Sequence, residues 1–400
     1  MWEQIRANKR NSILLLALMA TVLALLGWFI GRAFSPDPAA GLFGIVIALF
    51  VWMILAMVSF AGGDAIFLAA SKATPVTKDV HPQLFNVVEE MAIAAQLPMP
   101  KIYIINDPAP NAFATGRNPQ KASVAITAGL LGRLNRDELQ GVIAHEMSHI
   151  LHRDILFVTV AGVMLGAIVL ISEIFLRGMF FSSMSRRYSS RSRSSGGGQA
   201  QAIMLVVAII AAILAPIMAT LLYFALSRKR EYLADAGAAR LTRYPEGLAS
   251  ALEKLSQNTT PLSVANKVTA PMYIVNPLQK KGMKLSDLTS THPPISERVR
   301  VLRGMAGASF ADYSEAFRKT TKHSTPIPSS ALKDEAVQIR SAGSQKSADS
   351  KKQIRDIGDI MQKTAGFHFV NCSCGLKMKV PPNYKAHQVK CPRCGKISAV

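Results

Sequence analysis

Four long apolar runs constrain this chain more than any other feature. Residues 12–30 and 41–60 are almost continuously hydrophobic, and residues 155–176 and 202–226 form a second pair. A helix needs about 20 residues to cross the hydrocarbon core of a bilayer. Inside that medium a segment must satisfy its own backbone polar groups, so runs of this length are expected as helices. Half of the 400 residues are hydrophobic, a larger share than a soluble chain ordinarily carries. The first run is too long for the apolar part of a cleaved signal, and a second follows closely, so residues 1–63 read as a retained transmembrane hairpin. Arg6, Lys9 and Arg10 precede the hairpin, while Arg32 and Asp37 are the charges in its turn. The preference for positive charge inside places the N-terminus in the cytoplasm, and two crossings return the chain there.

Between residues 64 and 154 the patterning becomes that of a globular domain. QLFNVVEEMAIAAQ (83–96) has helical spacing and ends before Pro98 and Pro100. KIYII (101–105), NAFAT (111–115) and ASVAIT (122–127) read as short strands of a small sheet. Asn135 and Glu138 form a capping-box pattern, so a helix is expected from Arg136. That helix contains HEMSH at residues 145–149. Residues four apart share a helix face, so His145 and His149 can converge on one ion, and Zn²⁺ suits two imidazoles with an open position for water. Glu146 is then the general base beside that water. Five residues alone fit equally well on an ordinary core or surface helix.

The second apolar pair, 155–226, follows directly. Arg186, Arg187, Arg191 and Arg193 in its connecting loop conflict with the charge rule if both runs cross fully. Either the first hairpin dominates topology or the second pair is embedded without crossing. Just after it, SRKREYLAD (227–235) places Glu231 and Asp235 four apart on one helix face. A two-histidine zinc site needs a third ligand from elsewhere, and its histidines usually have a carboxylate behind them. Glu231 and Asp235 suit those roles, although a solvated helix face would carry the same residues.

NAFATG (111–116), HEMSH (145–149), SRKREYLAD (227–235) and THPPISER (291–298), in that order, are the motifs by which residues 64–303 resemble the HtpX family of membrane-bound zinc metallopeptidases. These are gluzincins related to the CaaX prenyl endopeptidases. The resemblance implies that His145, His149 and Glu231 bind a catalytic zinc, that Glu146 activates water, and that Asp235 supports a histidine. It also implies hydrophobic segments between HExxH and the glutamate. His292 and Arg298 are candidate oxyanion stabilisers, with a plain helix start after Pro293 and Pro294 as the alternative. Asn111, Ala112, Phe113 and Ala114 are candidate substrate contacts, because a sheet edge can take an extended peptide as an added strand.

Residues 315–366, rich in Ser, Lys, Thr and Gln, read as a flexible linker, with a short helix near 353–362. Cys372, Cys374, Cys391 and Cys394 then make a CxC and a CxxC pair within residues 367–400. Such pairs close a Cys₄ zinc site, and a domain this small depends on the metal for its stability. The CxC spacing departs from the usual CxxC. The ribbon is basic but lacks an aromatic stacking pattern, so a protein partner or recruited substrate suits it better than nucleic acid.

The expected fold is a mainly α integral membrane protein. It has a gluzincin-type α+β peptidase domain over 64–314 with a small sheet, four hydrophobic helices in all, and a C-terminal β zinc ribbon. The expected function is zinc-dependent hydrolysis of membrane-protein peptide bonds in quality control, with the catalytic domain and C-terminus in the cytoplasm. Its partners are protein substrates and the lipid bilayer. A CaaX-type processing peptidase and a non-proteolytic scaffold acting through the ribbon are the alternatives.

Overall fold

The computed structural model describes residues 2–185, 198–258, 260–263, 273–275, 293–333, 337–342, 350–384 and 386–399. The loop arginines at 186–193 and His292 lie outside the described residues.

The apolar runs form four long helices, α1 (Trp2–Phe34), α2 (Pro38–Ala70), α6 (Ile155–Ser185) and α7 (Gly198–Thr242). Asp37 caps α2 by accepting from the Ala39 N–H at 2.9 Å, with Pro38 at the first helical position, where its missing donor costs nothing. The four helices share one apolar core that includes Leu23 of α1, Ala48 of α2, Ile168 of α6 and Ala212 of α7. Leu42, Phe43, Phe50, Ile203 and Ile210 face outward and are exposed. That inversion suits lipid, where apolar surface has no reason to hide. Leu16–Phe34, Pro38–Val58 and Ala202–Thr220 are the described helical stretches long and apolar enough to cross a membrane.

Small residues bring α1 and α2 together. A Cβ added to Gly44 would lie 2.1 Å from the Gly27 carbonyl oxygen, and one added to Gly27 would lie 2.5 Å from that of Gly44. Backbone contact of this kind gives membrane helices their dispersion energy, since the lipid offers no hydrophobic drive between them.

The globular domain follows Gly62, where α2 departs from helical geometry before running on to Ala70. Its sheet has the order β1-β2-β4-β3, from β1 (Ala73–Pro75), β2 (Lys101–Ile105), β3 (Ala112–Thr115) and β4 (Ser123–Thr127). β2 and β4 pair in parallel and the outer pairs are antiparallel, so β3 is an edge strand. β1 is too short, and too close to the end of α2, to show as a strand in the hydropathy pattern. Helices α3 (Pro82–Ala94), α4 (Ala128–Arg133), α5 (Arg136–Leu151) and α8 (Pro245–Gln257) build the domain core with the sheet. Leu139, Val142, Ile143, Met147 and Ile150 of α5 are all buried, as their spacing predicts. Each such side chain contributes about 1.5–3 kcal/mol of burial.

The expected flexible linker is a correction. Its described parts are anchored: α10 (Phe310–Thr321) and α11 (Ser350–Thr364) are helices, and Ile327, Ala331 and Ile360 enter the domain core. Arg340 donates to Asp137 Oδ1 at 2.7 Å and Gln140 Oε1 at 2.8 Å while lying over the Tyr244 ring. Polar composition hid a few well-placed apolar and arginine anchors, which suffice when a finished core offers receiving sites. α11 in turn holds the ribbon, because Asp359 pairs with Lys377 and Lys379.

Gly44→Leu should force α1 and α2 apart and lower thermal stability in detergent by about 1–3 kcal/mol. Differential scanning fluorimetry checks this, and an unshifted melting curve contradicts the close contact.

Candidate active site

The site is built on two helices with opposite chemical tasks. α5 begins with the expected capping box, in which Asn135 Oδ1 accepts the Glu138 N–H at 2.9 Å and Glu138 Oε2 accepts the Asn135 N–H at 2.8 Å. Lys254 and the Ser250 hydroxyl also donate to Glu138, so the helix start is clamped to α8. This fixes where the face carrying His145 and His149 points. α7 supplies the carboxylates, and it packs against α5 where Gly237 faces Ser148. A Cβ at Gly237 would meet Ser148 Oγ at 2.1 Å, so that close approach requires glycine.

At this closeness three donors converge. The Nε2 atoms of His145 and His149 are 3.2 Å apart, and Glu231 oxygens lie 3.6 Å from the first and 3.5 Å from the second. Ligands placed tetrahedrally at zinc's bond length of roughly 2.0–2.1 Å lie about 3.3 Å from one another, so the triangle has the size of three zinc ligands. The two Nε2 atoms are close enough to share one proton or one cation, as the ligands of a metal cradle would be.

Both remaining ring nitrogens face carboxylates. His145 Nδ1 is 3.0 Å from Asp235 Oδ1, and His149 Nδ1 is 3.0 Å from Asp154 Oδ2. These contacts fix the tautomer that leaves each Nε2 available. Burial disfavours the charged imidazole of His145, but the neighbouring Asp235 and Glu231 carboxylates outweigh it and its pKa is raised. For His149 burial again opposes, and Asp154 overrides it to raise the pKa well above the ordinary value.

Asp154 is the residue that sequence reading missed. It sits between the end of α5 and the start of α6, and the only signal was a carboxylate five residues beyond a histidine. His152, which could be mistaken for another ligand, is buried and hydrogen-bonded to Ser148 Oγ at 3.1 Å; burial pushes its pKa down to about 4.

Arg298 takes a different place from that expected of an oxyanion donor. It is fully buried in α9 (Ile295–Arg303) and forks onto Asp235 with bonds of 2.7 and 2.8 Å, while its Nη1 lies 3.5 Å from Glu231. Burial would raise the Asp235 pKa, but Arg298 and His145 outweigh it and hold the carboxyl below its usual range. Glu146 is buried, and burial raises its pKa while His145 and His149 pull it partly back. The Ala114 backbone helps to pull the Glu146 pKa down, so the edge strand β3 borders the reactive group. Asn111, Ala112 and Phe113 continue that strand away from it, with Phe113 buried against Tyr273.

The ribbon forms a second cluster. Hairpins β5–β6 (His368–Asn371, Lys377–Val380) and β7–β8 (Gln388–Lys390, Ile397–Ala399) carry the cysteines in their turns. Cys372 Sγ is 3.3 Å from Cys394 Sγ, and Cys374 Sγ is 3.6 Å from Cys391 Sγ. Four ligands at zinc–sulfur bonds of roughly 2.3 Å would lie about 3.8 Å apart, so the thiols are near a zinc-sized tetrahedron.

The model of peptidase family M48 matches residues 79–306, which contain both helices of the site. The chain belongs to peptidase family M48. A Protease HtpX homolog of Dictyoglomus thermophilum is 48% identical over 304 residues, covering 76% of this chain and 94% of that protein. The Protease HtpX homolog of Caldanaerobacter subterraneus is 40% identical over 305 residues, covering 76% and 98%. Among solved structures, Ste24p of S. mikatae aligns over 76% of this chain and 67% of its own at 21% identity, with a TM-score of 0.39. This M48 member is a membrane-bound zinc metallopeptidase, as the motif resemblance implied.

Asp154→Asn should weaken zinc binding about 10–100-fold, since it removes the acceptor that orients His149. Competition with a zinc chelator reads this directly, and unchanged affinity would remove Asp154 from the site.

Arg298→Met leaves Asp235 buried without its main counter-charge and should destabilise the domain by about 3–5 kcal/mol. Because the folded Asp235 pKa lies below its unfolded value, it contributes stability above the usual carboxylate range that is lost in acid. The acid-unfolding midpoint of the variant should therefore move to higher pH, as circular dichroism would show.

Proposed function

We propose that this M48 peptidase hydrolyses peptide bonds of membrane proteins with His145, His149 and Glu231 holding the catalytic zinc. The observation that carries the reading is the zinc-sized triangle of those three residues next to a buried Glu146. When bound, the zinc supplies Lewis acidity to a water and to the scissile carbonyl. Glu146 removes the proton from the attacking water and returns it to the leaving amine. Burial suits Glu146 to both steps, because a raised pKa makes it a stronger base in the resting site and a competent acid afterwards.

In this reading Asp235 and Asp154 position the two histidines, and Arg298 acts by holding Asp235 and Glu231 in place. His292 is retained as the candidate oxyanion donor. The outer edge of β3, from Asn111 to Ala114, receives the substrate backbone as an added strand. Glu231 follows the apolar run of α7 by only about five residues, roughly 8 Å of helix rise, so substrates would meet the site at the membrane surface. We place that surface on the cytoplasmic side, from the basic residues preceding α1. Quality control of membrane proteins fits such a location.

The four ribbon cysteines are proposed to hold a second, structural zinc. Lys390, Arg393 and Lys396 leave the ribbon basic, which suits a protein partner or recruited substrate.

Glu146→Gln should lower cleavage of an unfolded membrane protein by about 10²-fold or more while zinc content stays at wild type. Full proteolysis by the purified variant, with a chelator control, would sink the assignment of the base. Double substitution of Cys372 and Cys391 by Ser should reduce bound zinc from two equivalents to one by elemental analysis. Retention of both would refute the structural site.

A further inference from the structure

Alternation along β3 turns successive residues toward β4 and away from it. Asn111 faces β4, exchanging bonds with Thr127 at its N–H and C=O, so Ala112 and Ala114 turn their backbone groups outward. The Ala114 backbone borders the Glu146 carboxylate. The Ala112 C=O accepts a hydrogen bond from the N–H of Ile274 at 3.0 Å. One residue on, the Asn111 side-chain amide donates to the Val275 C=O at 2.8 Å and accepts from the Val275 N–H at 3.3 Å. Ile274 and the Asn111 side chain therefore hold the Ala112 C=O and N–H, outward groups that an added peptide strand would use, while Val275 holds the Asn111 amide.

Further contacts seat this segment. Tyr273 lies edge-on to Phe113 with ring centroids 5.2 Å apart, and its hydroxyl bonds to Ser71 Oγ at 3.1 Å. Arg298 Nη1 reaches the Ile274 C=O at 3.4 Å, linking the segment to the arginine that holds Asp235. Tyr273 and Ile274 are 0% and 1% exposed.

We propose that residues 273–275 are an internal occupant of the peptide-binding edge, which a substrate strand must displace. The proposal rests on reading that edge as the substrate site. The segment's contacts along β3 are to one backbone carbonyl and one side-chain amide, so an extended peptide can reproduce them and the exchange is nearly even in hydrogen bonds. What the incoming peptide must match is the apolar burial of Tyr273 and Ile274. A peptide with aromatic and branched aliphatic residues replaces that burial; a polar one leaves the segment's apolar surface exposed without return. The edge therefore selects extended apolar peptides, the kind that membrane segments and unfolded cores present, and it is kept closed to hydrophilic loops.

The test uses the full-length, zinc-loaded chain in detergent. Hydrogen exchange of the Glu146→Gln protein is followed with and without saturating denatured β-casein. The amides of Ile274 and Val275 should exchange about tenfold faster with casein bound. In the otherwise wild-type enzyme, Ile274→Pro removes the N–H donated to Ala112 and should lower the KM for casein about three- to tenfold. Protection that persists when casein is bound overturns the proposal. So does an Ile274→Pro protein of normal zinc content whose KM is unchanged or raised. In either case, cleavage of casein by the wild type leaves the peptidase reading standing. A wild type that binds but does not cut casein strikes that reading alone, because the exchange experiment needs no cleavage; a chain that does not bind casein overturns both.

Discussion

Two imidazole nitrogens 3.2 Å apart in a buried site are the constraint around which this structure is arranged. Nitrogens at that separation share a proton or a cation, and a cation in a protein interior needs compensating charge and fixed ligands. Glu231 closes the triangle, Asp235 and Asp154 stand behind the rings, and Arg298 stands behind Asp235. Each buried group is thereby answered by one of opposite charge or complementary hydrogen bonding. Removing a member leaves its partner exposed to the full cost of desolvation, which is why the network extends to α9 and does not stop at the ligands.

That network ties the chemistry to the membrane bundle. Asp154 lies at the start of α6, while Glu231 and Asp235 lie on α7, the helix that also supplies the stretch Ala202–Thr220. α2 runs beyond its kink at Gly62 to place Phe67 in the small core shared with Phe113 and Tyr273. α6, α7 and α2 thus adjoin residues that flank the two histidines or support the edge strand.

The parts of the molecule legible in sequence were those with local periodicity. The apolar runs, the capping box at Asn135, the buried stripe of α5 and the paired cysteines all declare themselves within a few residues. β2, β3 and β4 also appeared close to their predicted bounds, because each is bracketed by Pro, Gly or Asn. β1 and the anchored stretch around Arg340 did not appear, since three residues and one arginine leave no period to detect. Arg298 was noticed through its motif, but its fork onto Asp235 depends on a partner distant in the chain.

By itself, then, the sequence determined the long helices, most of the sheet, the membrane character and the candidate ligands, because hydropathy and helix spacing are short-range properties. Tertiary structure alone decided how α5 and α7 approach through Gly237, which carboxylate serves which histidine, and that Ile274 and Val275 lie along the β3 edge. Those relations join segments distant in the chain, and their distances follow from how packed helices meet. No local pattern encodes them.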